Sequence, residues 1–377
     1  MEGTRFQEQL QERIARWLKS GDSSGLTSLE SETVVLGSAL GKRSENQDRT
    51  IFLRVKFDEP SKPSLAALIL CDGMGGMISG GDCANLAVST FASSLINTNI
   101  INLSEKLKVA VNAANQAVYK AFQGRGGATL SAVVGNDLGA WAAVNVGDSR
   151  IYRVLHSGLI EQLTIDDTLE KQLADLNLPD PPPEFRQLLQ YIGMGEGINP
   201  RHIDLQLSAE IKWFLITSDG AHGISEATFK ALVSCAESPK EVVVRLNQLS
   251  GWLGGKDNST VSVLAVAKDL FSSIREAAFS SLELWSIPGK AEFFSNKTFQ
   301  TDASKNTTSV KAKDASGVNK PSRGDNNSHP QKPSKRKNQN NSQNVEPVNG
   351  NGSKPRKDKA ETNELVPQLN IEFSGEN

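Results

Sequence analysis

The chain has little of what staples a fold or ligates a soft metal. Of its 377 residues three are cysteine, Cys71, Cys83 and Cys235. An odd, widely spaced set provides neither a disulfide framework nor a Cys-x-x-Cys site, and it fits a reducing compartment, so a cytoplasmic location is expected. Four histidines (His156, His202, His222, His329) form no ligand pair, which disfavours zinc. An excess of one charge sign is also missing. Lys and Arg total 41 against 43 Asp and Glu, a formal net charge of −2, which argues against a protein that coats nucleic acid with its whole surface. No apolar run approaches the ~18 residues of a membrane span. The N-terminal MEGTRFQEQLQERIARWLKS mixes both charge signs and lacks the apolar stretch of a secretory signal.

What is present is unevenly distributed. From about 295 to about 360 the chain is Asn, Ser, Lys, Pro and Gly with almost nothing apolar. Such a composition cannot offset its ordering entropy and is expected to be disordered. Residues 301–360 carry roughly +8 and residues 1–300 roughly −6, an asymmetry that bears on partners. The cluster Lys335-Arg336-Lys337 suits an acidic partner or nucleic acid, or simply keeps the tail soluble. The final LVPQLNIEF turns apolar again, either as a docking motif on a tether or as a frayed end. At the other terminus Phe6, Leu10, Ile14 and Trp17 recur at helical spacing and stop near Ser20-Gly21-Asp22, one amphipathic helix that packs on the domain or on a partner. The expected organisation is an N-terminal helix in 1–30, a catalytic-type domain in 31–270, a helical extension in 271–294 and the basic tail in 295–377.

Within the domain TVVLGSAL, TIFLRVKF and LAALILC read as strands from their β-branched and apolar content. CANLAVSTFASSLI and SEKLKVAVNAANQAVYKAF are apolar at i, i+3 and i+4 and read as helices. ATLSAVVG, AWAAVNVG, RIYRVLHSG and LIEQLT follow as short strands split by turns, an antiparallel meander. The stretch from Asp166 to Pro200, with Asp180-Pro181-Pro182-Pro183 inside it, reads as a loop or flap. HIDLQL and IKWFLITSDG add strands, two helices span about 226–251, and NSTVSVLAVA closes the domain as a strand. Strands in two groups with helices between them predict an α+β fold, a four-layer α-β-β-α sandwich of two antiparallel sheets flanked by helices.

The aspartates sit where such strands end. Asp72-Gly73 follows LILC, Gly147-Asp148 follows VNV, Asp219-Gly220 follows FLITS, Asp257-Asn258 precedes the last strand and Asp48 precedes TIFLRV. Each dipeptide taken alone is ordinary turn chemistry. Five together are another matter, because gathered carboxylates repel one another and raise one another's pKa unless a cation lies among them. An oxygen-only donor set suits Mg²⁺ or Mn²⁺, and the Gly73 carbonyl is a further candidate donor. Two hard cations in a carboxylate cluster are a solution for phosphate-ester hydrolysis. Arg43, five residues before Asp48, is the natural guanidinium to orient a phosphate through paired hydrogen bonds, although a solvated loop charge would look the same.

The ordered set RSENQD, LILCDGMGG, GGATLSAVV, VNVGDSRIYR, QLTIDD, ITSDG and KDNSTVSV resembles the PP2C, or PPM, family of metal-dependent protein serine/threonine phosphatases, and is most similar to its bacterial branch. The resemblance runs from about Thr33 to Ala267 and covers neither terminus. It implies the sandwich above, with a two-ion Mn²⁺/Mg²⁺ site in a cleft at one edge, Asp72 bridging the ions and the Gly73 carbonyl on one of them. It further implies that Asp219 and Asp257 complete the set, Asp148 with Asp219 forms a weaker third site, Asp48 holds a metal-bound water, and Arg43 clamps the phosphate for in-line attack by a bridging hydroxide. Partners implied are phosphorylated proteins, opposite a serine/threonine kinase. Four departures stand out. Gln47 replaces a common Glu, Met74 replaces the His of eukaryotic members and leaves the leaving group to water, QLTIDD lacks the His of the usual TxDH pattern, and Gly223 replaces a further acid. Gln47, QLTIDD and the long tail also leave open a phosphopeptide-binding or scaffolding module of the same fold.

Overall fold

The layering follows from one strand. β4 (Leu65–Cys71) is buried at every position, with Leu65, Ala67, Ile69 and Cys71 in one apolar cluster and Ala66, Leu68 and Leu70 in another. Successive side chains of a strand point to opposite faces, so a strand apolar throughout needs cover on both sides. Helices supply it on one side and a second sheet on the other.

A computed structural model describes residues 2–294 other than 22, 30, 58, 60, 174–186, 268–269 and 272–279. The expected tail, its Lys335-Arg336-Lys337 cluster, its apolar tip and the Asp180–Pro183 run lie outside the described residues. Both sheets are antiparallel throughout. The seven-stranded sheet has the order β13-β12-β3-β4-β5-β6-β9 and the six-stranded sheet β1-β2-β11-β10-β7-β8. Their strands are β1 (Gly25–Ser28), β2 (Val34–Ala39), β3 (Arg49–Lys56), β5 (Leu130–Asn136), β6 (Trp141–Val146), β7 (Arg150–Leu155), β8 (Ile160–Gln162), β9 (Arg201–Leu205), β10 (Ile211–Thr217), β11 (Ser259–Ala265), β12 (Ser281–Ser286) and β13 (Gly289–Phe294). Helices α1 (Glu2–Leu18), α2 (Gly80–Asn97) and α3 (Leu103–Phe122) cover the larger sheet. Helices α6 (Glu226–Ser234) and α7 (Pro239–Trp252) cover the smaller one. Two single-turn helices, α4 (Leu169–Gln172) and α5 (Asp219–His222), lie in the connections. The helices start at caps the sequence supplies: Asn102 accepts from the Glu105 N–H, Ser225 from Thr228 and Ser238 from Glu241 with Pro239 following, each satisfying an N–H the helix leaves over. The expected α-β-β-α sandwich is the observed one. Among the described residues no helix is long and apolar enough to cross a membrane.

Two local expectations are corrected. Residues 281–294, expected as part of a helical extension, form the β12–β13 hairpin on the edge of the larger sheet. SLELWS alternates with period two, and Leu282, Leu284 and Trp285 are buried. Pro288 cannot sit in a helix interior, and Gly289 takes a positive φ of 120°, which closes the turn. The domain therefore runs past 270. The expected N-terminal helix packs on the domain, one of the two outcomes its amphipathic pattern allows. Leu10, Ile14, Trp17 and Leu18 are buried against α2, Gln11 Nε2 donates to Ser89 Oγ at 3.0 Å, and β1 joins β2. The supposed meander is split, because β5 and β6 pair in the larger sheet while β7 and β8 pair in the smaller. The chain crosses between sheets at Gly147–Ser149.

Candidate active site

Strand register brings the acids together. Arg49 at the start of β3 faces Cys71 at the end of β4, which sets Asp48 beside Asp72. Thr217 at the end of β10 faces both Arg150 at the start of β7 and Val261 near the start of β11, which sets Asp219 beside Asp148 and Asp257. The two groups come from opposite sheets, and Asp48 joins them. Its Oδ2 accepts from Ser218 Oγ at 2.9 Å and from Thr260 Oγ1 at 2.6 Å, the first just past the end of β10 and the second in β11, both on the other sheet's side.

Behind Asp48 the hydroxyls form a directed chain. Asn46 Nδ2 donates to Ser38 Oγ at 2.8 Å, and Ser38 Oγ lies 2.6 Å from Thr260 Oγ1. Thr260 has one proton and spends it on Asp48, so Ser38 is the donor to Thr260. On the other side, the Asp72 N–H donates to Thr129 Oγ1 at 2.9 Å, and Thr129 Oγ1 lies 2.8 Å from Ser149 Oγ. Thr129 thus ties the acid after β4 to the turn that carries Asp148.

The turns themselves fit tightly. A Cβ on Gly220 would run into the Asn258 carbonyl and lie 3.3 Å from Asp257 Cβ, so only glycine lets the Asp219 turn press on the Asp257 turn. A Cβ on Gly73 would meet the Gly80 carbonyl, and its N–H donates to the Gln47 carbonyl at 3.3 Å. Asn258 fastens the loop before β3: its Nδ2 donates to the carbonyls of Leu40 and Glu45 at 2.8 and 3.1 Å, and its Oδ1 accepts from the Gln47 N–H at 2.8 Å. That loop holds Arg43, whose Nη2 donates to Asp257 Oδ2 at 2.6 Å and whose Nε donates to the Lys256 carbonyl at 3.2 Å. The guanidinium also lies over Gly75 of DGMGG, where a Cβ would come within 2.9 Å of Nη1.

The electrostatics are those of crowded anions. Burial first, then the charges of Asp48, Asp219, Asp148 and Asp257, holds Asp72 well above the usual carboxylate range. Burial raises Asp48 to about 6 against the lowering effect of its two hydroxyl donors. Burial, then Asp219 and Asp166, raises Asp148 to about 7, and burial with Asp257 raises Asp219. Asp48 Oδ1 and Asp219 Oδ1 are buried without a hydrogen-bond partner. A buried carboxylate oxygen with no donor is costly, and a cation is what such oxygens lack. Among the described residues no three His, Cys, Asp or Glu side chains already stand at the spacing of a bound ion. The donor chemistry and the two orphaned oxygens fit a hard divalent cation, and the carboxylates would close on it.

All seven expected site residues, Arg43, Asp48, Asp72, Gly73, Asp148, Asp219 and Asp257, fall at this one end of the sandwich. Sequence reasoning passed over Ser218, Thr260, Thr129 and Asn258. A signal existed. Thr260 and Ser262 take inter-sheet positions of β11 that alternate with the buried Val261 and Val263, and hydroxyls there ask for a buried acceptor. QLTIDD, which lacks the His of the TxDH pattern, has a clear role. Asp166 takes two bonds from Arg150, Nε at 2.8 Å and Nη2 at 2.6 Å, and Asp167 Oδ2 accepts from the Gly147 N–H at 2.8 Å. Both acids fix the turn that presents Asp148. Of the histidines, His222 is buried with Nδ1 at 2.8 Å from Thr217 Oγ1 and is held well below its usual pKa by burial, then by Arg150.

The chain is similar to proteins described as phosphatases over this same region. It is 28% identical over 237 residues to a Streptococcus pyogenes protein described as a putative protein phosphatase 2C-type, spanning 59% of this chain and 92% of that one. It is 30% identical over 210 residues to the serine/threonine protein phosphatase PstP of Mycobacterium tuberculosis, of whose length it covers 40%. The solved PstP/Ppp structure superposes with a TM-score of 0.51 at 27% identity, covering 61% of this chain and 96% of that one.

The chain is similar in sequence and in fold to the PP2C-type, or PPM, phosphatases.

A Streptococcus agalactiae serine/threonine phosphatase gives a TM-score of 0.52 at 26% identity over 62% of this chain and 98% of its own. No family model matches the chain. The PPM fold thus accounts for the sandwich, while about two fifths of the chain lies beyond the aligned region.

Proposed function

We propose that this PPM phosphatase hydrolyses phosphoserine and phosphothreonine esters in proteins, with Mn²⁺ or Mg²⁺ held by Asp72, the Gly73 carbonyl, Asp219 and Asp257. Asp148 with Asp219 would form a weaker third site. The observation that carries this reading is the convergence of five carboxylates from both sheets, with orphaned oxygens on Asp48 and Asp219. When bound, such cations acidify water and neutralise phosphoryl oxygens. The chain's own groups do the rest. Arg43, now on Asp257, would turn its paired N–H groups to the phosphate and fix its orientation. Asp48, pinned through Oδ2, keeps Oδ1 to accept a proton from a water it orients. Met74 carries no proton, so the departing alkoxide takes one from solvent. A cytoplasmic location opposite a serine/threonine kinase belongs to the same reading.

The test is hydrolysis of p-nitrophenyl phosphate with MnCl₂ and after EDTA, in wild type and Asp72→Asn. Turnover that needs the metal and disappears in the variant is expected. Stoichiometric retention of a phosphopeptide in saturating Mn²⁺ without turnover would replace this reading with a binding module. The structural role of Asp166 and Asp167 removes one of the reasons for considering that alternative.

A further inference from the structure

Of the five tryptophans, Trp17, Trp141, Trp213 and Trp285 are buried, whereas Trp252 is 86% exposed and its neighbour Leu253 59%. Exposing a large indole forfeits its burial energy, so its place matters. Trp252 is the last residue of α7, and the turn after it runs straight into the candidate site. The Gly255 carbonyl accepts from the Lys42 N–H at 2.7 Å, the Lys256 carbonyl accepts from Arg43 Nε, and Asp257 accepts from Arg43 Nη2. Gly254 and Gly255 take positive φ of 111° and 53°, so a tight turn that favours glycine links Trp252 to Lys256 and Asp257. Lys42 and Lys256 are exposed beside Arg43, and among the described residues neither has a carboxylate partner. The rim therefore presents two cations without a carboxylate partner and Arg43, itself on Asp257, next to an uncovered aromatic and a leucine, a set suited to a phosphate dianion once Arg43 turns to it. Lys256 is four positions on from Trp252, a reach of at most ~14 Å.

We propose that Trp252 and Leu253 form an apolar platform that captures an apolar side chain of the phosphoprotein substrate within about four residues of the phosphorylated one. The inference rests on the phosphatase reading above and gives that site a sequence preference. The occupant is a segment of the substrate, because the platform is continuous with the phosphate-orienting loop and the charge between them is of the sign a phosphate needs. Capping a Trp with an apolar partner at the centre of such a contact is worth on the order of tenfold in binding.

The experiment uses the full chain in Mn²⁺. Phosphothreonine peptides of Gly and Ser carry a single Leu at each position from four before to four after the phosphorylated residue, with p-nitrophenyl phosphate as reference. Wild type is expected to favour one or two Leu positions by about tenfold in kcat/KM. Trp252→Ala should lose that preference and hydrolyse p-nitrophenyl phosphate as wild type does, while Trp252→Phe keeps most of it. A preference that persists in Trp252→Ala, or an equal loss on both substrates, overturns the inference. So does a wild-type dimer in sedimentation that Trp252→Ala dissociates, which would give the platform to a second copy. Wild type inactive even on p-nitrophenyl phosphate would instead remove the phosphatase reading, a result read before the peptides are compared.

Discussion

Asp48 and Asp257 belong to one site and are held in opposite ways. Asp48 is buried, fixed by Ser218 and Thr260 from the facing sheet, and raised to about 6 mainly by burial. Asp257 lies in a turn, about a third exposed, and pairs with an Arg43 that is itself 42% exposed. An exposed ion pair of this kind contributes roughly 0–1 kcal/mol, so Arg43 can leave it at little cost. The floor is built before any ligand arrives; the rim is loosely held and available for exchange. Rigid positioning lies with the groups that cross between sheets, and the proposed substrate contact with the loops.

The largest effect is expected at the centre: Asp72→Asn or Asp219→Asn should lower Mn²⁺-dependent turnover on the order of 10³-fold while the fold, by circular dichroism, persists. At the rim Arg43→Ala should cost on the order of 10²-fold in kcat/KM with no measurable change in denaturation midpoint, and Arg43→Lys should recover part of it, because an ammonium cannot make paired bonds. If Arg43→Ala unfolds the protein, the rim is not the loosely held part. In the floor Thr260→Val leaves Asp48 Oδ2 with one donor fewer and should cost about 1–3 kcal/mol in urea unfolding, an effect on stability that the Arg43 variant should lack.

The smallest effect is a pH dependence. In metal-free protein Asp48 at about 6 lies above its ordinary value of 3.8. Between those values the folded chain keeps a proton that the unfolded chain has lost, so the contribution of Asp48 to stability falls as pH rises through roughly 4 to 6. His222, buried neutral, works in the opposite sense below its usual value. The comparison that isolates Asp48 is therefore Asp48→Asn against wild type in EDTA: the variant should gain more at pH 8 than at pH 4, by about 1–3 kcal/mol. An equal gain at both pH values would show that Asp48 is not held at a raised pKa.

Much of this was legible in the chain. The acids announced themselves through turn dipeptides at the ends of apolar strands, and the seven expected residues gather at one end of the sandwich. The hydroxyls that hold them did not, because Ser and Thr in a strand are unremarkable until a carboxylate from another sheet is known to face them. The β12–β13 hairpin was read as helix for a related reason. Its stability comes from pairing with β3, some 230 residues earlier in the chain, which no local pattern carries.

Local periodicity, turn chemistry and the order of the motifs determined which elements form and which side chains have the chemistry, since those depend on neighbours in sequence. Only the tertiary structure decided that Asp48 reaches across to Ser218 and Thr260, that Arg43 rests on Asp257, and that Trp252 stands uncovered beside them. Those pairings join residues up to 214 positions apart, and their energies arise from burial and register, which exist only once the two sheets have closed on each other.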